Sequence, residues 1–128
     1  MPPDGEPTVY EQVGGRPFFD ALAARFYAGV AGDPVLRPLY PEELAEPTRR
    51  LAGFLAQYWG GPPDYSAERG HPRLRMRHLP FRIGRAERDA WLRHMVAAVQ
   101  EAALPPELEA PILAHVTQAA DFLVNADD

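Results

Sequence analysis

The distribution of proline constrains the fold of this chain more than any other feature. Fifteen prolines are spread through 128 residues, and each removes a backbone N–H donor and restricts φ to roughly −65°. Prolines therefore limit how long any helix or strand can run. The segments between them show helical periodicity, without strand alternation or internal repeats. The sequence predicts an all-α fold with four substantial helices and several short turns around one core.

The N-terminal third predicts a short helix followed by a long one. Residues Thr8–Glu11 form a capping box, with threonine first and glutamate three residues later. Gly14 and Gly15 interrupt that helix, and Pro17 falls in the first turn of the next, where proline is tolerated. Six apolar side chains of this second helix recur at helical spacing over about four turns. They are Phe19, Leu22, Ala23, Phe26, Tyr27 and Val30.

The middle of the chain predicts one turn, one helix and one loop. Asp33 caps a single turn that Pro34 begins. A third helix is predicted from about Pro47 to the glycine pair at Gly60, with Leu51, Phe54, Leu55 and Tyr58 on its apolar face. Residues 60–72 have no usable period and predict a loop.

The C-terminal half predicts one short and two long helices. The short helix begins at Pro72 and ends before Pro80. A long helix is predicted from about Arg85 to Ala103, and a last helix follows Pro105 and Pro106. Pro111 in that last helix predicts either a kink or a later start.

Composition excludes several kinds of protein and site. A net charge of −5 and a hydrophobic fraction of 46% are typical of a soluble globular protein. Because the chain has no cysteine, disulfides, thiolate metal sites and cysteine nucleophiles are excluded, and a cytoplasmic location is expected. No apolar run approaches the ~20 residues that span a bilayer, and no signal-peptide pattern is present. We expect one domain over residues 1–128, with flexible ends at about 1–7 and 126–128.

A concentrated basic segment contrasts with the acidic balance of the chain. Residues 69–85 contain six of the thirteen arginines and no acid. His78 lies four residues after Leu74, so both side chains face one side of a short helix, and Phe81 and Ile83 add apolar bulk downstream. An imidazole on an apolar face with flanking arginines suits haem, which is flat and apolar with acidic edges. In this interpretation His78 binds the iron and the arginines reach the propionates.

The basic segment also leaves alternatives open. His71 is either a second propionate contact or a bystander, and His94 and His115 are interpreted as structural residues. The basic stretch alone would also support binding of RNA or DNA, but nucleic-acid-binding domains are usually basic overall and this chain is acidic. A haem-free helical binding module that uses this segment is kept as an alternative. The main interpretation expects no DNA or RNA and no membrane as partners.

Hydrogen-bond donors are expected opposite such a histidine, because oxygen bound to ferrous haem acquires partial superoxide character. Tyr27, Tyr40 and Trp91 are three candidates on separate segments. Each alone would be interpreted as core packing with a polar tip. Together with His78 they favour a haem site, although periodicity alone leaves the cofactor undecided.

Five stretches of the sequence resemble the group II truncated haemoglobins, a class of compact bacterial globins. The stretches are VGG at Val13–Gly15, RFYAGVAGDPVLRPLYP at Arg25–Pro41, RLAGFLAQYWGGP at Arg50–Pro62, YSAERGHPRLRMRHLPFRI at Tyr65–Ile83 and ERDAWLRHM at Glu87–Met95. They occur in the family's order from about Tyr10 to Asn125, which is nearly the whole chain. The RGHPRLRMRH stretch with a downstream tryptophan is the most specific of these matches.

The resemblance implies a two-over-two helical sandwich around haem b. It implies His78 as the proximal iron ligand, the three donors as the distal trio, and Arg50 and Arg77 as propionate contacts. The predicted haem pocket consists of Pro47, Leu51, Phe54, Leu74, Phe81, Ile83 and Met95. Pro47 departs from the family, which tends to carry a small or polar residue there. Proline cannot hydrogen-bond a ligand, and its effect on ligand access stays open.

The function implied by the resemblance is reversible binding of oxygen and of other diatomics, such as nitric oxide or carbon monoxide, by a monomer or homodimer. Several donors to one ligand favour slow release, because each bond to a charged group contributes about 1.5–3 kcal/mol. Slow release favours oxygen, nitric oxide or peroxide redox chemistry, with an unidentified reductant, over bulk transport. Peroxidase-like and nitric oxide dioxygenase activities are the candidate reactions, and a haem-based gas or redox sensor is the other alternative.

Overall fold

A computed structural model describes residues 7–69 and 81–126 of the chain, without the side chains of residues 68 and 69. The described residues contain six α-helices and one short 3₁₀ helix at Arg37–Leu39, with no strand. The α-helices are α1 (Val9–Gln12), α2 (Arg16–Ala31), α3 (Ala45–Tyr58), α4 (Asp64–Arg69), α5 (Arg85–Glu101) and α6 (Pro106–Leu123). The predicted all-α class is confirmed, and α2, α3, α5 and α6 are its four substantial helices.

The described residues fall into two compact units. The first unit comprises residues 7–24 and 43–69, and the second comprises residues 25–42 and 81–126. Helix α2 contributes its first nine residues, 16–24, to the first unit and its remainder to the second. In the first unit α3 packs on α4, and in the second α5 packs on α6.

The predicted N-terminal capping box is confirmed. The Thr8 hydroxyl accepts a hydrogen bond from the Glu11 N–H at 3.1 Å, and the Glu11 carboxylate accepts from the Thr8 N–H at 2.9 Å. Gly14 and Gly15 then end α1 with φ angles of 99° and 82°. Glycine adopts this left-handed region without steric strain, so the interruption that the sequence predicts occurs at these two residues.

The apolar stripe of α2 is buried as predicted. Phe19, Leu22, Ala23, Phe26 and Val30 are fully buried, and Tyr27 is 8% exposed. Pro17 is the second residue of the helix, where its missing N–H removes no intrahelical hydrogen bond. The helical period of the sequence therefore predicted both the element and its buried face.

Helix α3 differs from the prediction in its start and in its buried face. It begins at Ala45, two residues before Pro47. Proline is tolerated in this first turn, because N–H groups there have no intrahelical partner and its missing N–H removes no hydrogen bond. Its buried residues are mainly small ones, namely Ala52, Gly53, Leu55 and Ala56. Tyr58, predicted on the apolar face, is 55% exposed. Small residues allow close packing that a pattern of large apolar side chains does not reveal.

Helix α4 forms where the sequence predicted a loop. Residues 60–72 lack a helical period, yet α4 spans Asp64–Arg69. Gln57 of α3 accepts from the Ser66 N–H at 2.9 Å and donates to the Ser66 hydroxyl at 2.8 Å, so a tertiary contact satisfies one first-turn N–H. Tyr65 is buried at 8% exposure. The loop prediction is wrong for these six residues because it could not include contacts with α3.

The second unit contains the two long C-terminal helices, and both were predicted. Gly84 precedes α5, and its N–H donates to the Glu87 carboxylate at 2.7 Å. Helix α6 begins at Pro106 and continues through Pro111, so the alternative of a later start is wrong. Asn125 follows α6 and exchanges hydrogen bonds with Ile83, at 2.8 Å in each direction.

The predicted helix between Pro72 and Pro80 lies outside the described residues, as do residues 1–6 and 127–128 of the predicted flexible ends. Within residues 7–69 and 81–126, no helix has the length and apolar character needed to cross a bilayer.

Candidate functional site

The second unit brings the three predicted donor residues into one ring cluster. The rings of Tyr27 and Tyr40 meet edge to face, with centroids 5.3 Å apart. Phe26 lies beside Tyr27 at 4.9 Å and beside Trp91 at 5.5 Å, again edge to face in both pairs. This donor cluster, defined as Phe26, Tyr27, Tyr40 and Trp91, joins side chains from α2, the segment after the 3₁₀ helix, and α5.

The local environment raises the pKa of the Tyr40 hydroxyl above its usual value. Burial raises the pKa of Tyr40 to about 12, and a side-chain hydrogen bond with Tyr27 opposes part of that rise. A phenol with this pKa is neutral at physiological pH and retains its proton as a donor. The indole N–H of Trp91 is likewise a donor only. The donor cluster therefore contains neutral donors suited to a ligand that carries partial negative charge.

Hydrogen bonds from two side chains to backbone groups fix the segment that carries Tyr40. The Asp33 carboxylate accepts from the N–H groups of Val35 at 2.8 Å and Leu36 at 3.3 Å, which confirms its predicted role as a cap. The Arg37 guanidinium donates to the carbonyl oxygens of Tyr40, Pro41 and Glu42 at 3.3, 2.8 and 2.7 Å. The chain on both sides of the Tyr40 ring is thus held by hydrogen bonds.

Sequence reasoning missed a second role of Asp33 and the importance of His94. Asp33 is buried, and its carboxylate lies 2.7 Å from Nε2 of His94 on α5. The hydrogen bond with His94 holds the pKa of Asp33 below its usual value, against a smaller opposing effect of burial. The two residues are 61 positions apart, and no local pattern links them. The sequence predicts a structural role for His94 but indicates no partner for it.

The other predicted pocket residues are distributed over both units. Pro47, Leu51 and Phe54 lie on α3 of the first unit at intermediate exposure, and Phe54 packs edge to face on Tyr65 at 5.5 Å. In the second unit Met95 is fully buried, Ile83 is 9% exposed and Phe81 is 42% exposed. The predicted iron ligand His78 lies outside the described residues, together with His71, Leu74 and Arg77.

Arg50, a predicted propionate contact, lies on α3 with its side chain 44% exposed. Its Nε is 3.6 Å from the carboxylate of Glu46, one turn earlier. An ion pair between exposed side chains one turn apart is weak, typically about 0.3–0.5 kcal/mol. The guanidinium therefore retains the capacity to bind another acidic group.

The described residues fit the haem that the sequence predicts. The donor cluster combines large apolar rings with neutral O–H and N–H donors, which is the chemistry required beside a small ligand on a haem iron. Met95, four residues after Trp91 on α5, adds a fully buried apolar side chain in the same unit. The predicted iron ligand and one predicted propionate contact lie outside the described residues, so this fit concerns the predicted gas-binding side.

The helices and the donor cluster define a class, namely an all-helical protein that gathers neutral donors from three segments. Comparison with known proteins is more specific. The model of the bacterial-like globin family matches residues 8–125. The group 2 truncated haemoglobin YjbI of Bacillus subtilis is 40% identical over 116 residues, which cover 91% of this chain and 87% of that protein.

Solved structures give the same result. A thermostable haemoglobin from the actinobacterium Thermobifida fusca is 57% identical, with a TM-score of 0.92 over 94% of this chain and 98% of that one. A truncated haemoglobin from Bacillus subtilis, described as oxygen-avid, is 39% identical, with a TM-score of 0.88 over 93% of this chain and all of that one. The chain belongs to the bacterial-like globins and, within them, to the group II truncated haemoglobins. The predicted family and fold class are confirmed, and membership implies haem-based gas binding.

Proposed function

We propose that this chain binds haem b through His78 and holds oxygen or another diatomic ligand with Tyr27, Tyr40 and Trp91. When bound, haem supplies an iron that takes oxygen, nitric oxide or carbon monoxide. Family membership supports the cofactor, and the donor cluster is the observation that carries the role of the three residues. Arg77 and Arg50 are the proposed partners of the propionates, since guanidinium groups form bidentate bonds with carboxylates.

The three donors act by stabilising negative charge on the ligand. Tyr40 is a neutral phenol at physiological pH, and burial raises its pKa further, to about 12. Each hydrogen bond to a charged acceptor contributes about 1.5–3 kcal/mol, which corresponds to roughly 10- to 150-fold in a dissociation rate. Several donors therefore slow the release of the ligand. The oxygen-avid character of the Bacillus subtilis haemoglobin supports the same property for this chain.

Slow release favours redox chemistry on the bound ligand over oxygen transport. A carrier must release its ligand readily, whereas a reaction with nitric oxide, peroxide or a reductant benefits from a long residence time. We therefore propose that the chain uses its ligand in redox chemistry. Stopped-flow turnover with nitric oxide and with peroxide tests this choice, and turnover no faster than that of free haem in both assays would favour transport or sensing.

Haem binding is tested by titrating the purified chain with haemin and recording its visible absorption spectrum. We expect a Soret band that changes reversibly with oxygen and carbon monoxide. The His78→Ala variant is expected to lose haem affinity while its far-ultraviolet circular dichroism stays helical. The His71→Ala variant is the matched control, because it removes the other imidazole of the same segment, and it is expected to retain haem. Unchanged spectra in His78→Ala would show that another histidine binds the iron.

The absence of a Soret band in the wild-type chain would contradict the proposal as a whole. In that case the arginine-rich residues 69–85 become the feature to explain, and binding of RNA or DNA in a gel-shift assay would favour the haem-free binding module. The two outcomes use the same protein preparation, so they separate the proposals directly.

A further inference from the structure

Asp33 is the only charged side chain that is buried among residues 7–67 and 81–126. Burying a carboxylate is costly unless hydrogen bonds replace its hydration. Four donors surround this one. The Val35 and Leu36 N–H groups bind Oδ1, while His94 Nε2 and the Arg93 guanidinium bind Oδ2 at 2.7 and 3.1 Å. The carboxylate is therefore fully used as an acceptor within the second unit.

The contacts of Asp33 reach every segment that carries a proposed donor. Its backbone N–H donates to the Val30 carbonyl at 3.0 Å, which ties it to the end of α2, three residues after Tyr27. Its Oδ1 holds the turn that leads to Tyr40. Its Oδ2 holds His94, which lies three residues after Trp91 on α5. Residues three apart on a helix share a face.

From this geometry we infer that Asp33 is a positioning residue that sets the relative placement of Tyr27, Tyr40 and Trp91 through the turn and through His94. The inference rests on the proposed function, because it concerns how those donors meet a ligand. Donors that act on one small ligand require accurate placement, and errors of about 1 Å cost much of their effect. One buried residue meets this requirement, because its backbone N–H bonds α2 and its carboxylate bonds the turn and α5.

The surroundings of His94 support a positioning role rather than proton transfer. An ionised carboxylate only accepts hydrogen bonds, so His94 Nε2 carries the proton that points at Asp33. The other ring nitrogen, Nδ1, lies against the backbone of Gly29 on α2, and a Cβ added at Gly29 would overlap it. Both ring nitrogens therefore face protein groups. The imidazole packs α5 closely on α2 and keeps the two helices at a fixed distance.

The first test compares two Asp→Asn substitutions, each at an aspartate that bonds a side chain of α5. Asp33→Asn replaces an acceptor oxygen with an NH₂ donor beside His94, and Asp121→Asn removes the ion pair that Arg88 of α5 makes with α6 at 2.7 Å. In the haem- and carbon monoxide-loaded chain we expect Asp33→Asn to shift the Trp91 indole N–H resonance, which Trp91→Phe assigns. Oxygen dissociation should accelerate roughly tenfold, equivalent to one weakened hydrogen bond. Asp121→Asn should leave both at wild-type values.

The second test moves His94 without changing any charge. Gly29→Ala adds a Cβ that would overlap Nδ1 of the imidazole and lie 3.0 Å from its Cε1 and Cγ atoms. Gly32→Ala is the control, because no atom lies within 4 Å of the added Cβ. We expect Gly29→Ala to reproduce the resonance shift and faster dissociation of Asp33→Asn, and Gly32→Ala to resemble wild type. If Gly29→Ala and Asp33→Asn both fold and keep the wild-type resonance and rate, the positioning role is overturned.

A rescue experiment separates positioning from general stability. His94→Gln retains an N–H donor for Asp33, whereas His94→Leu retains bulk without a donor. We expect glutamine to keep the oxygen dissociation rate closer to wild type than leucine does, and equal effects of the two variants would contradict the inference. If the chain proves not to bind haem, the Trp91 resonance measured without haem still tests the placement, so failure of the proposed function and failure of this inference are distinguishable.

Discussion

In the second unit, a buried carboxylate bonds the turn before Tyr40 and His94 near Trp91, whereas the α1–α3 junction of the first unit is held by rings and close backbone contacts. In that junction, defined as Tyr10, Ala56, Trp59, Gly60 and Gly61, the Tyr10 N–H donates to the Trp59 carbonyl at 2.9 Å. Side chains added at the two glycines would overlap Thr8 and Tyr10. The junction depends on the absence of side-chain volume, and the donor cluster depends on the placement of polar groups.

The two regions should therefore respond differently to substitution. Extra volume in the α1–α3 junction has no space to occupy, so its cost appears in the free energy of unfolding. A polar change in the donor cluster would remove a proposed hydrogen bond to a ligand that does not bind the unfolded chain, so its effect is expected in ligand kinetics. Variants in the two regions test this distinction.

The largest effect is expected from Trp91→Phe, which keeps an aromatic ring beside Phe26 but removes the indole N–H. We expect oxygen dissociation to accelerate roughly 10- to 150-fold, because a hydrogen bond to a charged acceptor contributes about 1.5–3 kcal/mol. Trp59→Phe makes the same chemical change in the α1–α3 junction and should leave the rate unchanged. Stopped-flow displacement of oxygen measures both. Equal rates in Trp91→Phe and wild type would remove Trp91 from the set of donors.

A second prediction concerns Gly61→Ala. Its Cβ would lie 2.7 Å from the Tyr10 ring and 2.8 Å from the Ala56 carbonyl oxygen, and the backbone atom cannot move aside cheaply. We expect a loss of about 2 kcal/mol in the free energy of unfolding, measured by urea denaturation, with no change in oxygen dissociation.

Gly53→Ala is the control for that variant, because its Cβ would meet its nearest neighbours at 3.8–4.0 Å, an ordinary contact distance. Alanine in a helix interior is more favourable than glycine by about 0.5–1 kcal/mol, so this variant should be neutral or more stable. A Gly61→Ala protein as stable as Gly53→Ala would show that the α1–α3 junction has spare volume.

A loss of up to about 2 kcal/mol in the free energy of unfolding is expected from Gln57→Leu. The substitution removes both hydrogen bonds that join α3 to Ser66 of α4, at about 1 kcal/mol for a typical bond. Ser66→Ala keeps the backbone N–H bond and should cost less. Urea denaturation orders the two variants, and the reverse order would show that the Ser66 hydroxyl, and not its N–H, anchors α4.

The smallest effect is expected in acid, from the titration of Asp33. Its folded pKa lies below the reference value of 3.8, chiefly because of the His94 hydrogen bond. The resulting stability is complete above the unfolded pKa and is lost as the pH falls through the folded value. We expect the stability difference between wild type and Asp33→Asn to narrow below about pH 3.8. A difference that stays constant from pH 7 to about pH 3 would contradict the lowered pKa.

Much of the fold could be predicted from local features of the sequence. The capping box at Thr8, the glycines that end α1 and the buried stripe of α2 depend on residues within a few positions of one another. Such signals act through backbone geometry and side-chain period, which are the same in any chain. Nearly continuous family motifs from Tyr10 to Asn125 added the globin class.

The candidate site was predictable in its members and not in its arrangement. Their donor groups indicate Tyr27, Tyr40 and Trp91 from the sequence, and the structure brings the three rings together with Phe26. Their role toward a ligand, like that of His78, stays a prediction. The bond from His94 to Asp33 was out of reach, because a histidine on a helix and an aspartate in a turn are common and unrelated in sequence.

The amino-acid order alone determined that α1, α2, α3, α5 and α6 are helical, and which family the chain belongs to. Tertiary structure decided that Tyr58 is exposed, that residues 64–69 are helical and that Asp33 is buried. The physical reason is desolvation. Whether a polar group loses its water, and which partner replaces it, depends on segments that meet only after folding, such as residues 33 and 94, which are 61 positions apart.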